Sequence, residues 1–427
     1  MKYTRLPSTV FTKHRRRFMA KLKPNSIAVF NANDIYPVSA DSTLPFEQHR
    51  DLFYLTGVDQ QETILVLCPD AKDPKQREMV FVRETNAHIA VWEGHKLTKS
   101  EATAVTGIEN VQWTADFEAS FLELTKQVEN IYINTNEHYR AKVETQTRED
   151  RFIAWCKEQF AKKNYEKSNF ILQGLRGVKD LEEIAHIQQA CNITEKGFKR
   201  VLGFVTPGVW EFEIEAEFAH EFLRNRSKGF AYTPIIASGA NSNVLHYIEN
   251  SQQCQAGELI LMDVGAEYGN YSSDMTRTIP VSGRFTPRQR AVYEAVLKVK
   301  DEATQLLMPG VLWKAYHIEV GKLMSSALVD IGLLTKKEVS DNAEAYKKYF
   351  MHGTSHHLGL DTHDYGLLDE PMEANMVFTV EPGIYIPDEG FGIRLEDDVL
   401  VQATGAPVNL MANIPIDPDE IEALMNP

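Results

Sequence analysis

The sequence predicts a mixed α/β (α+β) protein of two domains, the second assembled from two related halves. Three observations predict it. Short apolar, β-branched runs alternate with amphipathic helical stretches along the whole chain. At 427 residues the chain exceeds what one hydrophobic core usually serves. Segments of its C-terminal part also recur in the same order.

The first helix is expected before residue 23, with Arg15–Arg17 on its solvated face and Phe18, Met19 and Leu22 on the other. Residues 25–35, 62–69 and the run from Met79 read as strands, and 98–105 as a helix. The stretch from 133 to about 165 reads as a charged, helical connection. The boundary is expected at 165–175, giving domains of 1–172 and 173–427. Asp180 with Glu183 reads as a capping box opening the second domain. Thr286, Pro287 and Gln289 mark another helix start.

The repeat lies in the second domain. VLGFVTPGVWEFEIEAEFA at 201–219 resembles LLMPGVLWKAYHIEVG at 306–321. NVLHY around His246 has a counterpart in TSHHLGL around His356, and ELILMDVG is echoed by NMVFTVEPG. The last match aligns Asp263 with Glu381 and predicts a pseudo-two-fold with a site between the halves.

A net charge of −15 argues against a nucleic-acid partner, which normally needs a basic face. No apolar run approaches the ~20 residues of a membrane span, and the basic N-terminal segment has no apolar core of a secretory signal. Cys68, Cys156, Cys191 and Cys254 are scattered, as expected of free thiols in a reducing compartment, so the cytoplasm is the expected location.

Four acids stand out. Asp263 follows LILM, Asp274 lies in YSSDMTRTIPV, Glu381 in MVFTVEPGIY and Glu396 in GIRLEDDVLV. A carboxylate in an apolar strand costs several kcal/mol unless a cation meets it. Arg277 and Arg394 cannot neutralise them all, whereas a pair of divalent ions would. The GAEYGNYSS segment can turn as a hairpin and bring Asp263 to face Asp274. In the run Glu396-Asp397-Asp398, a solvated edge is the alternative, and Asp398 is expected on it. FMHGTSHHLGLDTHD supplies His352, His356, His357 and His363, from which one imidazole would complete the ligand shell and others would hold substrate or stabilise a carbonyl oxygen. A ligand set of four carboxylates and one imidazole is hard and favours Mn²⁺ over a structural Zn²⁺.

DVG…D, HGTSH, EPG and IRLEDD, in that order, resemble the creatinase/methionine aminopeptidase superfamily of pita-bread metallopeptidases, and within it the aminopeptidase P family. FEQHRDLFYLTG at 46–57 and DEIEALM near the C-terminus fit the same family. The resemblance implies a creatinase-like N-terminal α/β domain before the pita-bread catalytic domain. It implies that Asp263 binds one metal, that Asp274 and Glu396 bridge two, and that His356 and Glu381 bind the second. It makes His246, His352 and His363 the active-site histidines and sets Arg394 beside the bridging glutamate. It places Tyr385 in the pocket and has Trp92 reach a neighbouring subunit of a homo-oligomer, a dimer or tetramer. His357 stays outside the shell.

The implied reaction is hydrolysis of the first bond of peptides with proline second, by a hydroxide shared between two divalent ions, with Mn²⁺ expected and Co²⁺ or Zn²⁺ as substitutes. Glu381 would carry the proton. A dipeptide-restricted prolidase, sharing the metal site, and a non-catalytic peptide-binding relative are the alternatives.

Overall fold

The computed structural model describes residues 3–426, and the outermost ends of both expected domains lie outside them. The chain forms two compact units, Arg5–Arg176 and Gly177–Pro427, the latter with the first four residues.

The first unit is a six-stranded mixed sheet with helices packed on it. Its strand order is Asn110–Trp113, Glu78–Val82, Ile64–Leu67, Ser26–Asn31, Asn130–Ile133 and Asn164–Lys167. Ile27, Val29, Val66, Phe81 and Ile131 bury alternate positions against Phe121 and Phe152 from the helices. Helix Ser8–Met19 corrects one expectation, because Arg15 is fully buried. Phe11, His14, Arg15 and Phe18 recur at helical spacing and share the inner face, so periodicity overrides the charge run. Burial is tolerated because the guanidinium donates to Glu78 Oε2 at 2.8 Å and to the Leu55 carbonyl at 2.9 Å. The expected helical connection is also corrected. A helix forms only over Arg148–Gln159, started by the Thr147–Asp150 capping box, and residues 164–167 add a sixth strand. The FEQHRDLFYLTG segment forms helix Arg50–Thr56, whose buried Asp51 pairs with Arg176 at 2.8 Å.

The second unit repeats one plan twice. Helices Leu181–Leu202 and Glu211–Arg224 precede strands Ile235–Ser238, Leu259–Val264 and Met275–Pro280. Helices Pro287–Gln305 and Trp313–Asp330 precede strands Val377–Val380 and Asp397–Leu400. The Asp180 and Thr286 capping boxes open the leading helix of each half. The Pro-Gly-Val turns match bond for bond. Gly208 donates to the Cys254 carbonyl at 2.9 Å and Cys254 to that of Val209 at 2.8 Å, while Gly310 and Met372 do the same with Met372 and Val311 at 2.9 and 2.8 Å. One residue before Asp263, Met262 pairs with Arg277; one residue before Glu381, Val380 pairs with Asp397. The two hairpins meet at the Thr276–Glu396 bridge, on the axis relating the halves. The GAEYGNYSS segment does turn as a hairpin, with Gly269 and Asn270 both at positive φ (62° and 69°) in the two-residue turn between Tyr268 and Tyr271.

Candidate active site

The expected ligands come from strand ends that converge at this axis. Asp263 is the penultimate residue of the central strand of the first half, and Asp274 precedes its partner strand. Glu381 follows Val377–Val380, where Pro382 ends the strand, and Glu396 sits between Arg394 and Asp397 at the crossing. Tyr232 Oη reaches Asp263 Oδ1 at 2.7 Å and Asp274 Oδ1 at 2.5 Å, so one hydroxyl spans both acids. His356 Nε2 lies 3.4 Å from Asp274 Oδ2 and 3.6 Å from Glu381 Oε1. Ligating atoms of Asp274, His356 and Glu396 all lie within 4.8 Å of one another. His356 Nδ1 donates to the His357 carbonyl at 2.9 Å, which leaves Nε2 as the acceptor facing the acids.

Electrostatics supply the test of whether these residues suit divalent ions. Burial first, and then neighbouring acids, push the carboxyls of Asp274 and Glu396 well above the usual range. Burial likewise pushes Glu381 up to about 7, with Asp274 adding to it and His356 opposing. Arg394 pairs with Asp263 Oδ2 at 2.6 Å and is the guanidinium inside the cluster. Four converging acids against one arginine leave an excess of negative charge, and oxygen donors with one imidazole match hard divalent ions. The residues fit.

A second layer holds the acids. Thr276 Oγ1 donates to Glu396 Oε2 at 2.7 Å and accepts from Arg394 Nε at 3.1 Å. Arg394 also donates to Tyr385 Oη at 2.9 Å, and Tyr385 meets His352 Nε2 at 2.7 Å. His352 Nδ1 lies 3.7 Å from Glu381 Oε2. The His363 ring stands perpendicular to His356, centroids 4.4 Å apart. His357 turns away: it is buried beside Phe378, parallel to Trp313, and burial lowers its pKa to about 3. His246 is exposed on the loop after Gly239–Asn243, and among the described residues no hydrogen bond or ion pair joins it to the acids. Trp92 lies in the first unit on helix Ala87–Glu93 with 79% of its surface exposed, so it is a surface residue and not a core one.

Asp398 corrects another expectation. It is fully buried, its Oδ2 accepting from the Asp274 backbone at 3.0 Å and from the Cys191 thiol at 3.4 Å. Its strand is flanked on both sides, by Val377–Val380 and Val408–Asn409, so the acidic run is interior and not an edge. Sequence reasoning missed Tyr232 and Thr276. A tyrosine in a loop has no diagnostic spacing, and a threonine on a strand is common. All four cysteines are free and buried.

A pair of similar halves with a cluster of hard ligands at their junction defines a metal-dependent hydrolase. The chain belongs to metallopeptidase family M24, whose model matches residues 185–403, and it carries the aminopeptidase P N-terminal domain over 11–132. It is therefore a peptidase of the aminopeptidase P type. It is 33% identical to the Xaa-Pro aminopeptidase of Escherichia coli, covering 97% of both chains. It is 32% identical to that of Haemophilus influenzae, covering 99% and 98%. The structure of Pseudomonas aeruginosa aminopeptidase PepP superposes with a TM-score of 0.89 at 31% identity, over 99% of this chain and 98% of that one. Zinc-substituted E. coli aminopeptidase P in complex with product gives 0.89 at 31%, over 99% of each. Among the described residues, no helix is long and apolar enough to cross a membrane.

Proposed function

We propose that the protein is an Xaa-Pro aminopeptidase that removes the first residue from peptides with proline second. The observation that carries this reading is the convergence of Asp263, Asp274, His356 and Glu381 with Glu396 where the two halves cross. The relatives named above, matched over nearly their whole length, are Xaa-Pro aminopeptidases and not dipeptidases.

Residues 1–172 form the N-terminal domain in this reading, and 173–427 the catalytic one. Asp263, Asp274, His356, Glu381 and Glu396 hold two divalent ions, Mn²⁺ by the hardness of the donors. When bound, the ions would supply Lewis acidity for the scissile carbonyl and for the attacking water. Glu381 takes a proton from that water at a carboxyl oxygen and passes it to the leaving nitrogen. This nitrogen belongs to proline and has no N–H of its own. His363 donates to the carbonyl oxygen as charge develops there. Arg394 holds Asp263 in place and orients the Tyr385 hydroxyl. His352, Tyr385 and His246 border the space for the proline ring. The protein acts in the cytoplasm as a homo-oligomer, dimer or tetramer, in which Trp92 caps a neighbour's pocket.

Assays of Xaa-Pro-Xaa peptides against Xaa-Pro dipeptides, with Mn²⁺, Co²⁺ and Zn²⁺ in turn, test the reading. Tripeptides should be cleaved with release of the first residue, fastest with Mn²⁺. Cleavage of dipeptides alone would make the protein a prolidase. Light scattering tests the assembly: a monomer with full activity would remove the role of Trp92.

A further inference from the structure

The loop bearing His246 is organised around one buried carboxyl. Glu211 is the first residue of helix Glu211–Arg224 and has no exposed surface. Its Oε1 accepts from the Ser238 backbone N–H and hydroxyl, both at 2.7 Å, and from Asn241 Nδ2 at 3.4 Å. Its Oε2 accepts from Tyr247 Oη at 2.8 Å and from the Gln252 backbone N–H at 2.9 Å. These partners fall at the start, middle and end of residues 238–252. Among the described residues no Lys or Arg pairs with Glu211, so the loop itself solvates the buried group, helped by the helix N-terminus.

The segment next to His246 alternates. Leu245 and Tyr247 pack with Ile235, Ala237, Leu261 and the buried ring of Tyr385, while His246 between them is exposed. Tyr247 thus shares one packed cluster with the pocket residue Tyr385, and its hydroxyl is tethered to Glu211. We infer that Glu211, acting through Tyr247, is a positioning residue for His246 and fixes where that imidazole meets the substrate. The inference rests on the proposed role of His246. The place of Glu211 in the second half, just after the Pro-Gly-Val turn and the residue capping the helix, is taken by Trp313, which packs by its ring against the His357 loop. One half holds its histidine loop with a carboxyl and the other with an aromatic.

Tyr247→Phe deletes one hydroxyl, and Glu211→Gln keeps the shape without the charge, so both spare the fold better than alanine would. With Mn²⁺ bound, each should lower kcat/KM on an Xaa-Pro-Xaa peptide about tenfold, the size expected for a hydrogen bond to a charged group, and leave metal content unchanged. In a His246→Ala background Tyr247→Phe should cause no further loss. The same loss in both backgrounds, or metal loss parallel to the activity loss, overturns the inference. If His246→Ala itself hydrolyses at the wild-type rate, the role of His246 falls, and chymotrypsin cleavage after Leu245 or Tyr247 then judges the anchor. Faster cutting in Glu211→Gln supports anchoring, and cutting at the wild-type rate overturns it.

Discussion

Arg277 and Asp397 stand at equivalent places in the two halves of the second unit and pair with each other, Nη2 to Oδ1 at 2.6 Å. The pair crosses the pseudo-two-fold, one residue beyond the Thr276–Glu396 bridge. Arg277 also donates to the backbone carbonyl of Glu396 at 2.7 Å, and Lys300 Nζ closes on Asp397 Oδ2 at 2.5 Å. Burial alone would raise the Asp397 carboxyl, but Arg277 and Lys300 outweigh it and hold it well below the usual range. Lys300 also meets Asp301 at 3.3 Å, so two cations and two anions stand together here.

Arg277→Met should therefore do more than remove a pair. It leaves Asp397, at 1% exposure, with Lys300 as its remaining charged partner. Breaking a buried pair on one side costs roughly 3–5 kcal/mol, and the Glu396 carbonyl loses its donor as well. Urea unfolding measures this. A loss below about 1 kcal/mol, the scale of a surface pair, would contradict the interior role.

Glu381→Ala should abolish turnover and leave the fold largely intact, because it removes a proposed ligand and the proposed proton carrier together. Circular dichroism and a peptide assay at saturating Mn²⁺ check both halves of the statement. Activity within a few-fold of wild type would show that Glu381 does neither job.

His363→Ala should lower kcat on the order of 10²-fold, as loss of a donor to the developing oxyanion does, with a smaller effect on metal content. Metal analysis of the purified variant is the deciding measurement. If metal and activity fall together, His363 is itself a ligand.

A pH effect is expected in the first unit as well. In the first unit Glu149 is buried and pushed up to about 8 from 4.5 by desolvation, against hydrogen bonds from the Asn31 backbone and side chain at 2.8 and 3.1 Å. A raised carboxyl means that the folded protein holds the proton longer than the unfolded chain. This contribution is complete below pH 4.5 and is lost as pH rises through about 8. Across that window stability should fall by up to about 1.4 kcal/mol per pH unit from this group. Glu149→Gln should flatten the decline, so its Tm relative to wild type should be higher at pH 8 than at pH 5. Parallel Tm profiles would refute the assignment.

The acids of the site were legible because each sits where an uncompensated charge is costly: Asp263 after LILM, Glu381 after MVFTV. The repeat was legible because both Pro-Gly-Val turns keep their residues as well as their bonds. Arg15, Asp397 and Asp398 were not, since a charged side chain announces burial only through partners distant in sequence, such as Glu78 for Arg15 and Arg277 for Asp397. Tyr232 was hidden for the same reason. Its two acids follow 31 and 42 positions later, and nothing local marks its hydroxyl as shared.

The crossing of the halves has a consequence for the newborn chain. Asp263 and Asp274 leave the ribosome with the first half, while His356, Glu381 and Glu396 come only with the second. The earlier pair can make its local hairpin but lacks three of the five proposed ligands, so on that proposal high-affinity ion capture has to wait for the later strands to dock. With those ligands, synthesis order would keep the unfinished chain from loading an ion into half a site, and the same ion, once taken up, would cross-link the two halves against local opening.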